Sequence, residues 1–577
     1  MIKKLVRTML TAQVLSALTV SLCLLIDNVM IVRFLGTRAI AAYGYANPIL
    51  LTIGALGTML SAGVQVSCSK SLGRGLQEET NAGYSSAIAV CGGISVIFVL
   101  IVLLFRNPLA TVMGATADHE LHRMTSDYLA GFAIGAPGSI GALILIPFLQ
   151  MAGQSNLLIV AVLTMAVSDV AMDLLNALVL KWGMFGMGLA SSLSYYLALT
   201  VVAFYFLSKK CVFTFSRRSV TRAKIAELFR SGVPSVFGMA ASVVFVFAAN
   251  RIMRNAGGTV AVAAFTVVSG IGNSANCITT GVGGVSLTLS GVFYHEEDRH
   301  ALRSVLSLLC RYSVLLGLGM GAVLLLGAPL FVDVFLDANE PGYTLAVSGL
   351  RIFALGLIPC CINNALRSLY QATGRILLTE ILALLEGAAY PILAALLLAA
   401  LSGTSGVWFY FVIGELLTLL TIGVYVIRVK KRLPWREGAV LLLKPDFGVR
   451  GAQLLEISLS GLEEIAPAVQ RVETFCRSHG LDHRMTNHIA LCVEEMASNV
   501  IEHGFSADEK RHHLFIRLLK KENGWVLRFR DDCTAFDPVH YVPSGNESGL
   551  GLKIVMAMAR DVRYTSSLNL NNLMIQF

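Results

Sequence analysis

The chain has 577 residues, 55% of them hydrophobic and only 14% charged, with a mean hydropathy of +0.70 and a formal charge of +9. Soluble domains hold roughly 45–50% apolar and about 25% charged residues, so this composition excludes a soluble globular protein and marks an integral membrane chain. In such a chain the positive charge belongs to cytoplasmic loops, and no nucleic-acid partner is expected.

The start, "MIKKLVRTMLTAQVLSALTVSLCLLIDNVMIV", has the basic flank of a signal peptide. Its apolar stretch is too long for a secretory core and lacks a small-residue cleavage site, so it reads as the first spanning helix. Similar runs recur to about Tyr425 and predict about twelve spans, near 14–34, 46–67, 84–105, 128–150, 157–180, 185–207, 233–254, 260–290, 304–332, 345–370, 376–400 and 405–427. Lys3, Lys4 and Arg7 precede the first span; Lys209, Lys210, Arg217, Arg218, Arg222, Lys224 and Arg230 fill the central loop; Arg428, Lys430, Lys431, Arg432 and Arg436 follow the last. An even number of spans puts all three clusters on one side, which the positive-inside rule makes the cytoplasm of a plasma membrane. The 11 cysteines show no metal-ligand spacing and read as small buried residues in a reducing setting.

The spans repeat. "FLQMAGQ" at 148–154 answers "LYQATGR" at 369–375, each near the end of the fourth helix of a six-helix half. "KSLGRGLQEETNAGYSSAI" from Lys70 answers "SGVFYHEEDRHALRSVLSL" from Ser290, each after a half's second helix. Two equal bundles in parallel orientation suggest a transporter with a cavity between lobes that opens to either side in turn. With "LLIDNVMIVRFLGTRAIAAYGYANPIL" and "LFRSGVPSVFGM", these segments resemble the multidrug and toxic compound extrusion (MATE) family over about residues 10–430. The resemblance implies two six-helix lobes and export of small organic, often cationic, compounds driven by entry of H⁺ or Na⁺.

Carboxylates inside apolar helices are costly and mark an ion or proton path. Asp27 lies in the first helix; Asp169 and Asp173 lie one turn apart in the fifth, with Asn176 on nearly the same face. The four form a candidate oxygen-rich cation cage or carboxylate set. One branch of the family carries an acid in the first helix and an Asn-x-x-x-Asp pair in the fifth; Asp27 and Asp173 match, while Asp169 replaces the asparagine, which leaves the coupling ion open. Glu380, Glu386 and Glu415 stand in later helices and read equally as substrate-cation contacts or as snorkelling end residues.

After Arg436 charge and short alternating runs replace apolar spans. "AQLLEISLS" and "HHLFIRLLKKENGWVLRFRDD" read as strands, the latter a hairpin turning at Asn523 and Gly524; "LEEIAPAVQRVETFCRSHG" and "HIALCVEEMASNVIEHGF" read as helices. Glu495, Asn499 and His503 recur every four residues as one polar stripe, suited to a water and a Mg²⁺ beside phosphates. "FRDDCTAFDP" ends a strand with acids, and "ESGLGLKIVMAMARDV" puts Gly549 and Gly551 before an amphipathic helix, where backbone N–H groups can meet phosphate. In this order the blocks resemble the GHKL-type ATP-binding fold, most closely the anti-sigma-factor serine kinases, over about 455–577. That resemblance implies ATP and Mg²⁺, with Glu495 as the general base, Asn499 as the Mg²⁺ ligand, Asp531 as the acceptor of the adenine amino group, and Gly549 and Gly551 in the phosphate lid. Cys533 stands where the family usually has glycine.

The expected fold is thus a multi-pass α-helical membrane protein joined to an α+β sandwich: lobe 1–208, basic loop 209–232, lobe 233–428, linker 429–452 and ATP-binding domain 453–577. The expected function is a cation-coupled exporter with a cytoplasmic regulatory or serine-kinase-like domain, in contact with membrane lipid and with a cytoplasmic regulatory protein as further partner. The alternatives are a membrane sensor with a signalling tail and, ranked last, a lipid-linked oligosaccharide flippase, which would need basic residues lining its cavity.

Overall fold

The computed structural model describes residues 2–115, 119–208, 211–434, 438–444, 447–449, 453–505, 512–521, 524–539 and 550–577. Of the residues singled out above, Lys209, Lys210, Arg436, Asn523 and Gly549 lie outside the described residues.

The apolar runs form α1 (Ile2–Leu35), α2 (Thr37–Gly73), α3 (Gln77–Val112), α4 (His119–Ile134), α5 (Ala136–Met151), α6 (Ser155–Leu175), α7 (Gly183–Phe206), α8 (Arg222–Ala275), α9 (Cys277–His295), α10 (Arg299–Val332), α11 (Tyr343–Leu355), α12 (Leu357–Ala372), α13 (Ile376–Leu384), α14 (Tyr390–Val407) and α15 (Tyr410–Lys430). Among the described residues, nine helical stretches are long and apolar enough to cross a membrane, and the pairs α4–α5 and α11–α12, each bent by 47°, bring the number to eleven. One stretch, Arg222–His295, is 74 residues long; at 1.5 Å per residue it would run roughly 110 Å, far beyond a hydrocarbon core of about 30 Å. Its backbone leaves the helical region at Gly257 and Gly258, where φ reaches +69°. Counted on either side of that break, the spans number twelve among the described residues.

The internal repeat has a backbone counterpart. Gly153 (φ +75°) follows α5 and Gly374 (φ +79°) follows α12, so each "G" of the repeated segment ends a helix in the left-handed region that glycine adopts without a Cβ penalty. π-helical turns likewise recur, at Asn176–Leu180 after α6 and Leu385–Ala389 after α13.

The two halves meet through backbone. A Cβ on Gly63 of α2 would lie 2.1 Å from the carbonyl oxygen of Leu228, and one on Gly232 of α8 would lie 2.0 Å from that of Met59. Further close approaches join Gly73 to Val292, Gly291 to Ser69 and Gly281 to Val14. They concentrate in the part of the bundle nearest the N-terminus and the tail. Gly232→Leu is therefore expected to wedge α2 from α8 and cost about 1–3 kcal/mol, read as a lowered melting temperature of the purified protein.

The tail is a five-stranded antiparallel sheet in the order β1-β2-β3-β5-β4, from β1 (Leu454–Leu459), β2 (Leu514–Lys521), β3 (Gly524–Asp531), β4 (Asp561–Ser567) and β5 (Leu570–Gln576). One face is covered by α16 (Ile465–Ser478) and α17 (His483–Asn499), with Val555 of α18 (Leu550–Met558) in the same core. The strand alternation explains this face: Ile457, Leu459, Ile516, Leu518, Leu527 and Phe529 point to the helices and bury with Val472, Ile489 and Val493.

The other face meets the bundle. Arg517 pairs with Asp298, Arg530 with Glu296, and Lys521 Nζ lies 2.6 Å from a Glu297 carboxylate oxygen, all three acids in the α9–α10 turn. The β4–β5 turn reaches the other half: the Leu568 N–H donates to the Met151 carbonyl at 2.6 Å, and Leu568 is buried among bundle residues. The linker packs on the bundle as well: Ala439, Leu441, Leu442 and Leu443 are buried against it and Tyr370 donates to the Val440 carbonyl at 3.0 Å.

Candidate functional site

Three of the four predicted coupling residues come together. Asp27 of α1 and Asp169 and Asp173 of α6 are 7%, 4% and 1% exposed; the Asp27 carboxyl interacts with both of the others. The spacing of Asp169 and Asp173 puts both on the α6 face toward α1, and burial on that face is complete enough that Asp27 Oδ1, Asp169 Oδ1 and both Asp173 oxygens have no hydrogen-bond partner within the protein. Tyr43, Tyr128, Ser194 and Tyr195 close the pocket around Asp27 and Asp169, whose volume is about 40 Å³. That volume takes a water-sized occupant and not an organic compound. Three carboxylates at this burial need a counter-charge, since an isolated buried anion is expensive; a proton or a small cation is what the space admits.

Asn176 does different work. Its Nδ2 donates to the Gly183 carbonyl at 3.0 Å, and its Oδ1 accepts from the Trp182 N–H at 3.1 Å. The amide thus closes the π-helical turn that joins α6 to α7, and a Cβ at Gly186 would come within 1.9 Å of it. The i, i+3 spacing from Asp173 was legible, but the backbone that claims the amide was not.

In the second half the structure gathers residues that spacing could not relate. Cys360 of α12, Glu386 of the second π-turn and Glu415 of α15 bring their side-chain donor atoms within 4.8 Å of one another. Asn363 Nδ2 donates to Glu415 at 2.7 Å, and Arg367 lies 3.7 Å from Glu386. Glu380 is half-buried outside this cluster. The signal for it was two acids in apolar helices whose partners lie on a third.

In the tail, Glu495 and Asn499 sit one turn apart on the last part of α17, both half-buried. Asn499 Nδ2 donates to the Glu495 carbonyl at 2.8 Å, which leaves the amide oxygen for a cation. The stripe does not continue as the four-residue spacing suggested: α17 ends at Asn499 and Val500–Gly504 form a π-turn, so the exposed His503 leaves the Glu495–Asn499 face. Asp531, at the end of β3, is 6% exposed. Burial raises its carboxyl, opposed by Asn571 Nδ2, which donates to Oδ1 at 2.7 Å, and by the Cys533 N–H at 3.0 Å. Cys533 packs against Gly504, whose added Cβ would lie 3.0 Å from its sulfur. Gly551 lies in the first turn of α18. A carboxylate, an amide oxygen and a helix start around one face fit the parts of a Mg²⁺–nucleotide site.

Comparison with known proteins agrees with both parts. Residues 460–577 match the histidine kinase-like ATPase domain. The multidrug export protein MepA of Staphylococcus aureus (strain NCTC 8325 / PS 47) is 23% identical over 419 residues, covering 70% of this chain and 89% of that protein. Among solved structures, a MATE protein in complex with MaL6 superposes with a TM-score of 0.68 at 19% identity, over 73% of this chain and 94% of the other. A MOP superfamily transporter from Pyrococcus furiosus does so with 0.67 at 20%, over 75% and 97%. These structures share the fold of the membrane part. With residues 13–175 and 234–392 matching MatE in two segments that together exceed half its length, the chain belongs to the MATE transporter family and carries a histidine kinase-like ATPase domain at its C-terminal end.

Proposed function

We propose that this protein is a cation-coupled antiporter that exports small organic, cationic compounds across the plasma membrane, with a cytoplasmic, ATP- and Mg²⁺-binding tail that gates transport. The observation that carries the coupling is the buried trio Asp27, Asp169 and Asp173, of which Asp27 and Asp169 line a space that admits only a proton or small cation. The small pocket supports an ion path separate from the path of the organic compound. The multidrug export named for the Staphylococcus relative supports the substrate class. The basic residues Lys3, Arg74 and Arg428 at the tail's end of the bundle support a cytoplasmic tail. The test is export of a fluorescent organic cation from proteoliposomes under an imposed H⁺ or Na⁺ gradient, each alone. Export under neither gradient removes the reading.

The tail's contacts with both halves support a gate over a free signalling module, because alternating access requires the halves to move apart at one end. The pairing of Arg530 with Glu296 is almost fully buried, with side chains 12% and 7% exposed. Breaking one partner of such a pair costs about 3–5 kcal/mol. Arg530→Glu is expected to release the tail and speed proteolytic cleavage in the 429–452 linker, and Arg530→Glu with Glu296→Arg is expected to slow it again.

A further inference from the structure

A cavity of about 810 Å³ lies between the outer face of the tail's sheet and the end of the bundle, separated from Glu495 and Asn499 by the sheet itself. Strand register sets its tail wall. Arg517 stands directly opposite both Glu456 and Arg528, and in the next row Arg530 stands opposite Phe515 and Asn572. Like charges directly opposite on a sheet face repel, so a row holding Arg517 and Arg528 needs anions in front of it.

The bundle supplies too few. Eight lysines and arginines line the cavity against three carboxylates, Glu296, Asp298 and Glu456. Asp298 and Glu456 are taken by Arg517, Glu296 by Arg530, while Arg563 pairs with Asp561. Lys3, Arg74, Arg303, Arg311 and Arg528 are left without a carboxylate partner among the described residues. Arg528 is the telling one: Nη1 donates to the Glu296 carbonyl at 3.0 Å, yet Nε is buried with no hydrogen-bond partner. Facing it across the cavity, Arg303, Ser307 and Arg311 recur every four residues on one stripe of α10. A solvated basic face would not carry a guanidinium whose Nε is buried without a partner.

We propose that this cavity binds a phosphate-bearing anion, whether an anionic lipid headgroup or a soluble phosphate, and that the bound anion ties the tail to the bundle. Guanidinium forks match phosphate oxygens two at a time, and the volume lies within the range of small-ligand pockets. The ligand bridges Arg528 on the sheet and Arg303 and Arg311 on α10. Its site stands apart from the nucleotide site and does not rest on it.

The test uses the full chain in nanodiscs without nucleotide, with melting temperature as the readout. One arm compares phosphatidylcholine alone with phosphatidylcholine plus phosphatidylglycerol. The other titrates pyrophosphate into phosphatidylcholine discs, with KCl holding ionic strength constant. A rise in melting temperature is expected in at least one arm; a rise only with phosphatidylglycerol assigns a headgroup, and one with pyrophosphate assigns a soluble phosphate. Arg303→Gln with Arg311→Gln is expected to abolish the lipid shift or raise the half-maximal pyrophosphate concentration roughly tenfold or more. Arg303→Lys with Arg311→Lys is expected to keep most of it. Where the glutamine pair fails to fold, Arg528→Gln tests the same bridge from the opposite wall, with the same loss expected. No shift in either arm, or a shift unchanged by these glutamine variants, overturns the proposal. Repeating the titration in Asn499→Ala, with the shift retained, separates this site from the nucleotide site.

Discussion

Asp27→Asn is expected to reduce ion-driven export in proteoliposomes to the leak rate of protein-free vesicles, while the protein still folds and inserts. Asparagine keeps the size and most of the packing of the side chain but cannot take and release a proton, and it removes one of the two carboxyl groups that line a pocket of about 40 Å³. The remaining pair, Asp169 and Asp173, sits one turn apart on a single helix and lacks the counterpart from α1 that joins the two helices. Asp169→Asn is the informative companion. It restores the Asn-x-x-x-Asp pattern of the family branch, so retention of Na⁺-driven export with loss of H⁺-driven export would assign proton sharing to Asp169. Asn176→Ala should behave differently. It removes two hydrogen bonds that close the turn into α7 and is expected to cost about 1–3 kcal/mol of stability with the ion dependence of transport intact. Wild-type export rates in Asp27→Asn would remove this residue from the coupling path.

The contrast between Asp27 and Asn176 shows what a membrane sequence makes legible. Apolar runs near Leu22 or Ile97 announce spans because lipid demands them, and an acid within such a run stands out against that background. An amide at helical spacing from an acid says only which face it occupies; the backbone of Trp182 and Gly183, seven residues on at most, decides its partner. Helix lengths were less legible: α3 runs from Gln77 to Val112, well past the predicted 84–105, because its ends carry polar residues that are helical outside the lipid. The bends between α4 and α5 and between α11 and α12 fall inside continuous apolar runs, where hydropathy gives no sign.

In the tail the first three strands and the helices read from period and turn chemistry, whereas β4 and β5 were not anticipated. "RYTSSLNLNNLMIQF" mixes polar and apolar residues on both faces because one side meets the helices and the other meets the bundle. The same cause hid the docking surface. Arg517, Arg528 and Arg530 alternate with apolar residues as a solvated strand face does, and Glu296 and Asp298 counted only as part of a repeat. Contacts 219 and 234 residues apart in sequence leave no local trace.

The second large effect concerns the nucleotide. Asn499→Ala in the full chain is expected to lose Mg²⁺–ATP binding by roughly 100-fold or more, since it removes the amide oxygen proposed to hold Mg²⁺. Asp531→Ala is expected to lose adenine recognition by leaving the base amino group without its acceptor, again about 10- to 100-fold for a buried charge-assisted bond. The two variants should differ with pH and metal. Burial raises the Asp531 carboxyl, so acidification protonates it, and ends its role as acceptor, at a higher pH than for an exposed aspartate. ATP affinity should therefore fall as pH drops in the wild type, and Asp531→Ala should lose that slope while Asn499→Ala keeps it. Omitting Mg²⁺ should weaken the wild type toward Asn499→Ala and leave Asn499→Ala itself unchanged. Calorimetry across pH, with and without Mg²⁺, reads both. If neither variant changes affinity, the tail's contacts with the bundle lose their nucleotide input, and gating would have to come from the docking surface alone. If both behave as expected, the next step is transport with and without ATP. The outer sheet face and the proposed nucleotide site share β3, Arg528 and Arg530 in its body and Asp531 at its end, so transport with and without ATP reads whether the two are coupled.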